Sequence, residues 1–222
     1  MNDRLLGFFS GFPSYHFPGD IAGRLCEELT QCNSMVFVCT NPAGHAKTDH
    51  YAAIMRGCFE EIGLVFEQYY VIDNRVETSR AAQFIREASC IHLMGGNPGT
   101  QLQFLRETGL DSVICNSPGA LLGVSAGAIN MGKRSLDIEK SPASYEGLGL
   151  ENITVTPHFD PKNQEELSAL LRISEELPVC AMEDDSAIFV LGGRISSMGN
   201  IHIIDRGKIY PAWEGGLLCH LE

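Results

Sequence analysis

The 222-residue sequence predicts an α/β fold: an open, mostly parallel sheet with helices on both faces and an antiparallel extension at its C-terminal end. Three observations predict it. Short β-rich apolar runs alternate with segments whose apolar residues recur three and four apart. The runs are nearly continuous in apolar residues, as strands buried on both faces are. Beyond Pro178 the helical spacing gives way to short apolar runs separated by glycine-rich turns.

The first strand is expected from Leu5 to Phe12, where leucine and phenylalanine dominate. A helix follows from Ile21 to Cys32, with Ile21, Leu25 and Leu29 four apart. Met35 to Thr40 is β-branched and aromatic, hence a strand. His50 to Ile62 places Tyr51, Ile54, Met55, Cys58, Phe59 and Ile62 on one helical face. Val65 to Ile72 is the third strand, Thr78 to Ala88 the next helix, and Cys90 to Met94 the fourth strand. Asn97 followed by Pro98 is a side-chain cap with proline at the first helical position, so a helix opens there. Ser112 to Cys115 reads as a fifth strand and Leu121 to Val124 as a sixth, with a helix leading out over Ala126 to Met131. Ile153 to Thr156 alternates as a strand ended by Pro157, and Gln164 to Leu177 is helical. Four short strands close the pattern: Val179 to Met182, Ala187 to Leu191, Ile195 to Met198 and Ile201 to Ile204.

Hydrophobic residues at 44% and charged residues at 20% exclude long disorder. No linker or repeat interrupts the chain, so residues 1–222 are expected to form a single α/β domain. The longest apolar runs fall far short of the roughly 20 residues a membrane-spanning helix needs. Sixteen basic against 28 acidic residues leave a net charge of −12 with no basic stripe, which argues against nucleic acid and anionic membranes as partners. The eight cysteines are scattered without a Cys-x-x-Cys pair, as reduced thiols are. Met1 to Arg4 lacks the layout of a secretory signal, so a cytoplasmic protein is expected. No motif calls for a metal or organic cofactor, and a homodimer stays open.

Gly123-Val124-Ser125-Ala126-Gly127 follows an apolar strand and precedes a helix, the setting of a nucleophile elbow. Glycine on either side leaves room for the tight turn that lifts the Ser125 hydroxyl above the carboxyl edge of the sheet. Such a serine needs a neutral imidazole, and that imidazole an acceptor. Of the seven histidines, His158 stands at a strand tip like the elbow's. His220, late in the chain, competes with it; His92, inside an apolar strand, reads as a satisfied core histidine. His45 and His50 lie five apart, off a common helical face, and do not form a metal pair. Asp137 and Glu139, beyond the elbow helix, are both candidates for the acid. Gly95-Gly96-Asn97 follows a strand; two glycines there let backbone N–H groups approach a bound atom, as an oxyanion hole requires.

With these residues in view, the chain resembles the serine peptidase family of dipeptidase E and cyanophycinase. The likeness rests on Gly95-Gly96-Asn97 with Gln101-Leu102, on Gly123 to Ala128, on Thr156-Pro157-His158-Phe159 and, more loosely, on Glu183 to Ile188. It implies a class I glutamine amidotransferase-like fold and a Ser-His-acid apparatus acting on small peptides. It further implies Ser125 as nucleophile, His158 as base and Asp137 as a gapped match for the acid. Gly96 and Ala126 would donate to the oxyanion, and Asn97, Gln101 and Asp184 would contact substrate, Asp184 being held in reserve as the acid. The arginines that follow the histidine in the family are missing: Asp160 to Glu166 is acidic on balance, with no arginine before Arg172. An Asp-X preference is therefore not expected, since a substrate carboxylate lacks its bidentate partner. An esterase using His220 and a non-catalytic ligand-binding relative are the alternatives.

Overall fold

The computed structural model describes residues 4–138 and 144–211. The chain alternates β1 (Leu6–Phe9), α1 (Gly19–Glu28), β2 (Ser34–Val38), α2 (His45–Glu61), β3 (Gln68–Ile72), α3 (Thr78–Glu87), β4 (Cys90–Leu93), α4 (Pro98–Thr108), α5 (Leu110–Cys115), β5 (Ala120–Val124) and α6 (Ala126–Met131). There follow β6 (Arg134–Leu136), β7 (Ser144–Glu146), β8 (Val155–Thr156), α7 (Gln164–Ile173), β9 (Val179–Met182), β10 (Ala187–Leu191), β11 (Arg194–Met198), β12 (Ile201–Asp205) and β13 (Lys208–Pro211).

The large sheet has the order β11-β10-β1-β5-β4-β2-β3. Strands β1, β5, β4, β2 and β3 are parallel, and β10 and β11 pair antiparallel at one edge. Side chains alternate between its faces. Phe8, Val36, Val38, Ile91, Leu93 and Leu121 pack with Ile85, Leu105 and Ile114 from α3, α4 and α5. Phe9, Met35, Phe37, Cys90 and Leu122 pack with Ile21, Leu25, Met55 and Phe59 from α1 and α2. Both faces are thus covered. A fully buried leucine or phenylalanine contributes about 1.5–3 kcal/mol, so the sandwich holds the strand ends firmly.

Two expectations are corrected. Ser112 to Cys115 belongs to helix α5 and not to a strand. Gly109, at φ 70°, closes α4 and begins α5, and Leu110 and Ile114 bury themselves four residues apart; so short an apolar run fits either period. The C-terminal strands also do not form one extension. Strands β10 and β11 widen the large sheet, whereas β9, β12 and β13 join β8 in a separate sheet of order β13-β12-β9-β8, backed by Leu170 of α7. Among the described residues, no helix is long and apolar enough to cross a membrane, and the seven described cysteines are free.

Candidate active site

Parallel strands deliver their carboxyl ends to one edge of the sheet. The neighbouring strands β1, β5, β4 and β2 therefore present Ser10-Gly11, Ser125, Gly95-Gly96 and Thr40 side by side. Ser125 stands between β5 and α6 at φ 51° and ψ −112°. A non-glycine residue held there costs about 1–3 kcal/mol. Its N–H meets that cost in part by donating to the carbonyls of Phe9 and Ser10, both at 3.0 Å. The flanking glycines are required by space: a Cβ at Gly127 would overlap the Leu93 carbonyl, and one at Gly123 would lie 2.6 Å from the carbonyl carbon of Gly127.

His158 follows β8, and β8 runs parallel to β9 with Thr156 opposite Ala181. Residues leaving the two strands therefore emerge together, and the Phe159 N–H donates to the Met182 carbonyl at 2.9 Å. His158 Nε2 lies 2.9 Å from Ser125 Oγ, and Nδ1 lies 2.6 Å from Asp184 Oδ1. A carboxylate that accepts the Nδ1 proton leaves Nε2 free to accept the serine hydroxyl. The His158 and Asp184 side chains are 52% and 41% exposed, so the site opens to solvent on that side.

Asp137, the expected acid, is not the carboxylate at Nδ1. It leaves β6, which pairs with β7, and lies beside Tyr145, whose hydroxyl is pushed up to about 12 by burial and next by the Asp137 charge. Asp184 holds the position instead because β9 pairs with β8 and delivers it there. Glu139 and His220 lie outside the described residues.

Two residues that drew no attention in the sequence fix this geometry. The wholly buried Ser10 hydroxyl accepts the His158 N–H at 2.7 Å and donates to the Met182 carbonyl at 3.0 Å, tying together the segments that carry His158 and Asp184. Gly11 accepts the Asp185 N–H at 2.7 Å. A Cβ at Gly11 would overlap the His158 ring and come within 2.7 Å of Asp184 Oδ1. The signal in the sequence is faint: a serine and a glycine near the end of the first apolar run.

On the other flank, a Cβ at Gly95 would sit 3.4 Å from that of Ser125, so the glycine turn faces the nucleophile. Asn97 lies at its exposed end, where Oδ1 caps α4 by accepting from Thr100 N at 2.9 Å. Gln101, expected to contact substrate, does not face the crevice surface. It is wholly buried beneath the turn, with Nε2 at 3.3, 3.4 and 3.2 Å from the carbonyls of Val38, Cys39 and Met94, while Oε1 accepts from Asn130 at 3.1 Å. Its work is to brace β2, β4 and α6 against one another.

The rim is acidic. Burial raises the carboxyl of Glu166 on α7; a backbone hydrogen bond at Asp160 opposes the rise, the Asp160 charge adds to it and His158 again opposes it. Burial and then the charge of Asp184 raise Asp185. Glu183 is engaged by His202 at 2.7 Å, and Arg172 sits in the last turn of α7. Among the described residues, no group of three or more His, Cys, Asp or Glu side chains is arranged to hold a metal ion. His92 is wholly buried as expected, but it is not satisfied. Among the described residues, neither ring nitrogen has a hydrogen-bond partner, its neighbours are the rings of Phe37 and Phe59, and burial lowers its pKa to about 3.

Comparison with known proteins gives a consistent picture. The model of peptidase family S51 matches residues 20–198. Among solved structures, a peptidase from an acI-B1 actinobacterium superposes with a TM-score of 0.75 at 19% identity, over 97% of this chain and 96% of that one. A protein described as a peptidase E of Listeria monocytogenes EGD-e superposes with a TM-score of 0.66 at 21% identity, over 88% of this chain and 98% of that one. No curated protein matches.

Proposed function

Because the chain belongs to peptidase family S51 and is a serine-type peptidase, we propose that it hydrolyses peptide bonds in small peptides, with Ser125 as nucleophile, His158 as base and Asp184 as the acid. The observation that carries this is the pair of contacts on one imidazole, 2.9 Å to the Ser125 hydroxyl and 2.6 Å to the Asp184 carboxylate. Ser125 Oγ attacks the scissile carbonyl carbon while its proton passes to His158 Nε2. Asp184 accepts the Nδ1 proton in a hydrogen bond and stabilises the imidazolium. The negative charge that develops on the carbonyl oxygen is met by the N–H groups of Gly96 and Ala126. Collapse breaks the C–N bond, and His158 returns its proton to the departing amine. Water then attacks the acyl-enzyme, giving its proton to His158, and the C–O bond to Ser125 breaks as His158 returns that proton to the Ser125 oxygen, releasing the acid and restoring the free enzyme.

The acidic rim and the absence of arginine between His158 and Arg172 speak against substrates selected by a carboxylate side chain. Turnover of a dipeptide library by the wild-type protein, with Ser125→Ala as control, tests the reading. Hydrolysis of some dipeptides and none by the variant is the expected result. Equal turnover by both proteins, or none by the wild type, would count against it.

A further inference from the structure

We propose that Thr40 is the residue that aims the Gly96 N–H at the reacting carbonyl, an inference that rests on the Ser125 peptidase reading above. The Thr40 hydroxyl donates to the Gly95 carbonyl at 2.9 Å. That carbonyl and the Gly96 N–H belong to one peptide unit, and in a trans peptide they point in opposite directions. The strand order sets what those directions are. Strand β4, which carries the turn, lies between β2, which ends next to Thr40, and β5, which ends next to Ser125. Drawing the carbonyl toward Thr40 turns the N–H toward Ser125.

The peptide needs such an anchor because it lies between two glycines. With no Cβ on either side, rotation of the whole unit meets little steric resistance, and the inverted orientation would present a carbonyl oxygen where the oxyanion forms. Gly96 holds φ 139°, which L side chains rarely adopt, and a Cβ there would overlap the Thr40 hydroxyl. The glycine and the threonine thus depend on each other. Among the described residues, the Gly96 N–H donates to no backbone carbonyl, so it is free for an incoming acceptor while the other end of its peptide is fixed. Thr40 acts as a positioning residue: it touches the peptide unit and not the substrate.

The test compares Thr40→Val, which keeps the shape and loses the hydroxyl, with Thr40→Ser, which keeps the hydroxyl. The readout is the second-order rate at which a fluorophosphonate labels Ser125, where Oγ attacks phosphorus, fluoride leaves and the phosphoryl oxygen occupies the oxyanion site. If the productive orientation becomes a minor population, the rate falls with that population, and loss of one oxyanion donor bounds the effect at about 10²–10³-fold. The expected result is a fall of about 10–100-fold in Thr40→Val and recovery to within about threefold in Thr40→Ser, with unchanged melting temperatures. With a dipeptide substrate, the Thr40→Val loss is expected in kcat and not in KM. Should Thr40→Val fail to fold, Thr40→Ala carries the same expectation. Wild-type labelling rates in Thr40→Val or Thr40→Ala, or a loss that Thr40→Ser does not recover, would overturn this inference alone. Failure of the wild-type protein to label at Ser125 would overturn the peptidase reading with it.

Discussion

Two histidines of this protein sit in opposite surroundings. His158, at the carboxyl edge, is half exposed and has a partner on each ring nitrogen. His92, inside β4, is wholly buried and has none among the described residues. The same imidazole is made useful by the first setting and inert by the second. At the edge, strand ends leave hydroxyl, carboxylate and backbone groups free to meet it. Within the sheet, ladder pairing consumes the backbone groups, and the rings of Phe37 and Phe59 offer no acceptor. Reactivity here follows from which end of a strand a residue occupies more than from its type.

The sharpest way to break that contrast is to remove the groups at the edge. Ser125→Ala and His158→Ala are each expected to lower kcat/KM by about 10⁴-fold or more, whereas substitution of His92 should leave turnover within about threefold, measured on the best dipeptide found in the library. Next in size, Asp184→Asn is expected to cost about 10²–10⁴-fold by removing the acceptor that fixes the imidazole. Asp137→Asn, which does not alter the carboxylate at Nδ1, should cost less than about threefold; the reverse ranking would return the acid role to Asp137. Gly11→Ala forces a Cβ against the imidazole and the Asp184 carboxylate, and misplacement on the order of 1 Å lowers kcat about 10²-fold. Wild-type kinetics in Gly11→Ala would show that the pair tolerates movement.

The smallest effect belongs to His92 and is read in stability. Its folded pKa of about 3 lies below the ordinary 6.5, so between those values the unfolded chain binds a proton that the folded one refuses. Stability is therefore unpenalised above pH 6.5 and falls as pH drops toward 3, by about 1.4 kcal/mol per pH unit and up to about 5 kcal/mol in all. His92→Leu removes the proton uptake and two unpartnered nitrogens. It is expected to raise stability at pH 7 by about 1–3 kcal/mol and to flatten the acid limb of urea-unfolding midpoints. An unchanged acid limb would show that His92 is not the group that titrates.

The contrast also explains what could be read from the sequence. The elbow was legible because strand, turn and helix lie within one contiguous stretch whose flanking glycines have a single geometric meaning. His158 was legible as a histidine at a strand tip, and His92 as a core residue, though its lack of partners depends on aromatic neighbours from β2 and α2. Asp184 is legible only through the family resemblance, as a substrate contact held in reserve as the acid. Its contact with His158 arises from the parallel pairing of β8 with β9, a fact of three-dimensional order with no local pattern. Ser10, Gly11 and Thr40 are ordinary residues at strand ends, and the burial of Gln101, which the resemblance implies as a substrate contact, has no local signal. The main sheet follows from periodicity, while Ser112 to Cys115 of α5 is too short an apolar run to distinguish the two periods.

The most direct test of the central claim is to treat the wild-type protein with a fluorophosphonate, digest it and locate the adduct by mass spectrometry. A single adduct on Ser125, formed far more slowly in His158→Ala and in Asp184→Asn, is the predicted result. An adduct on any other residue, or labelling of Ser125 at the same rate without His158, would contradict it.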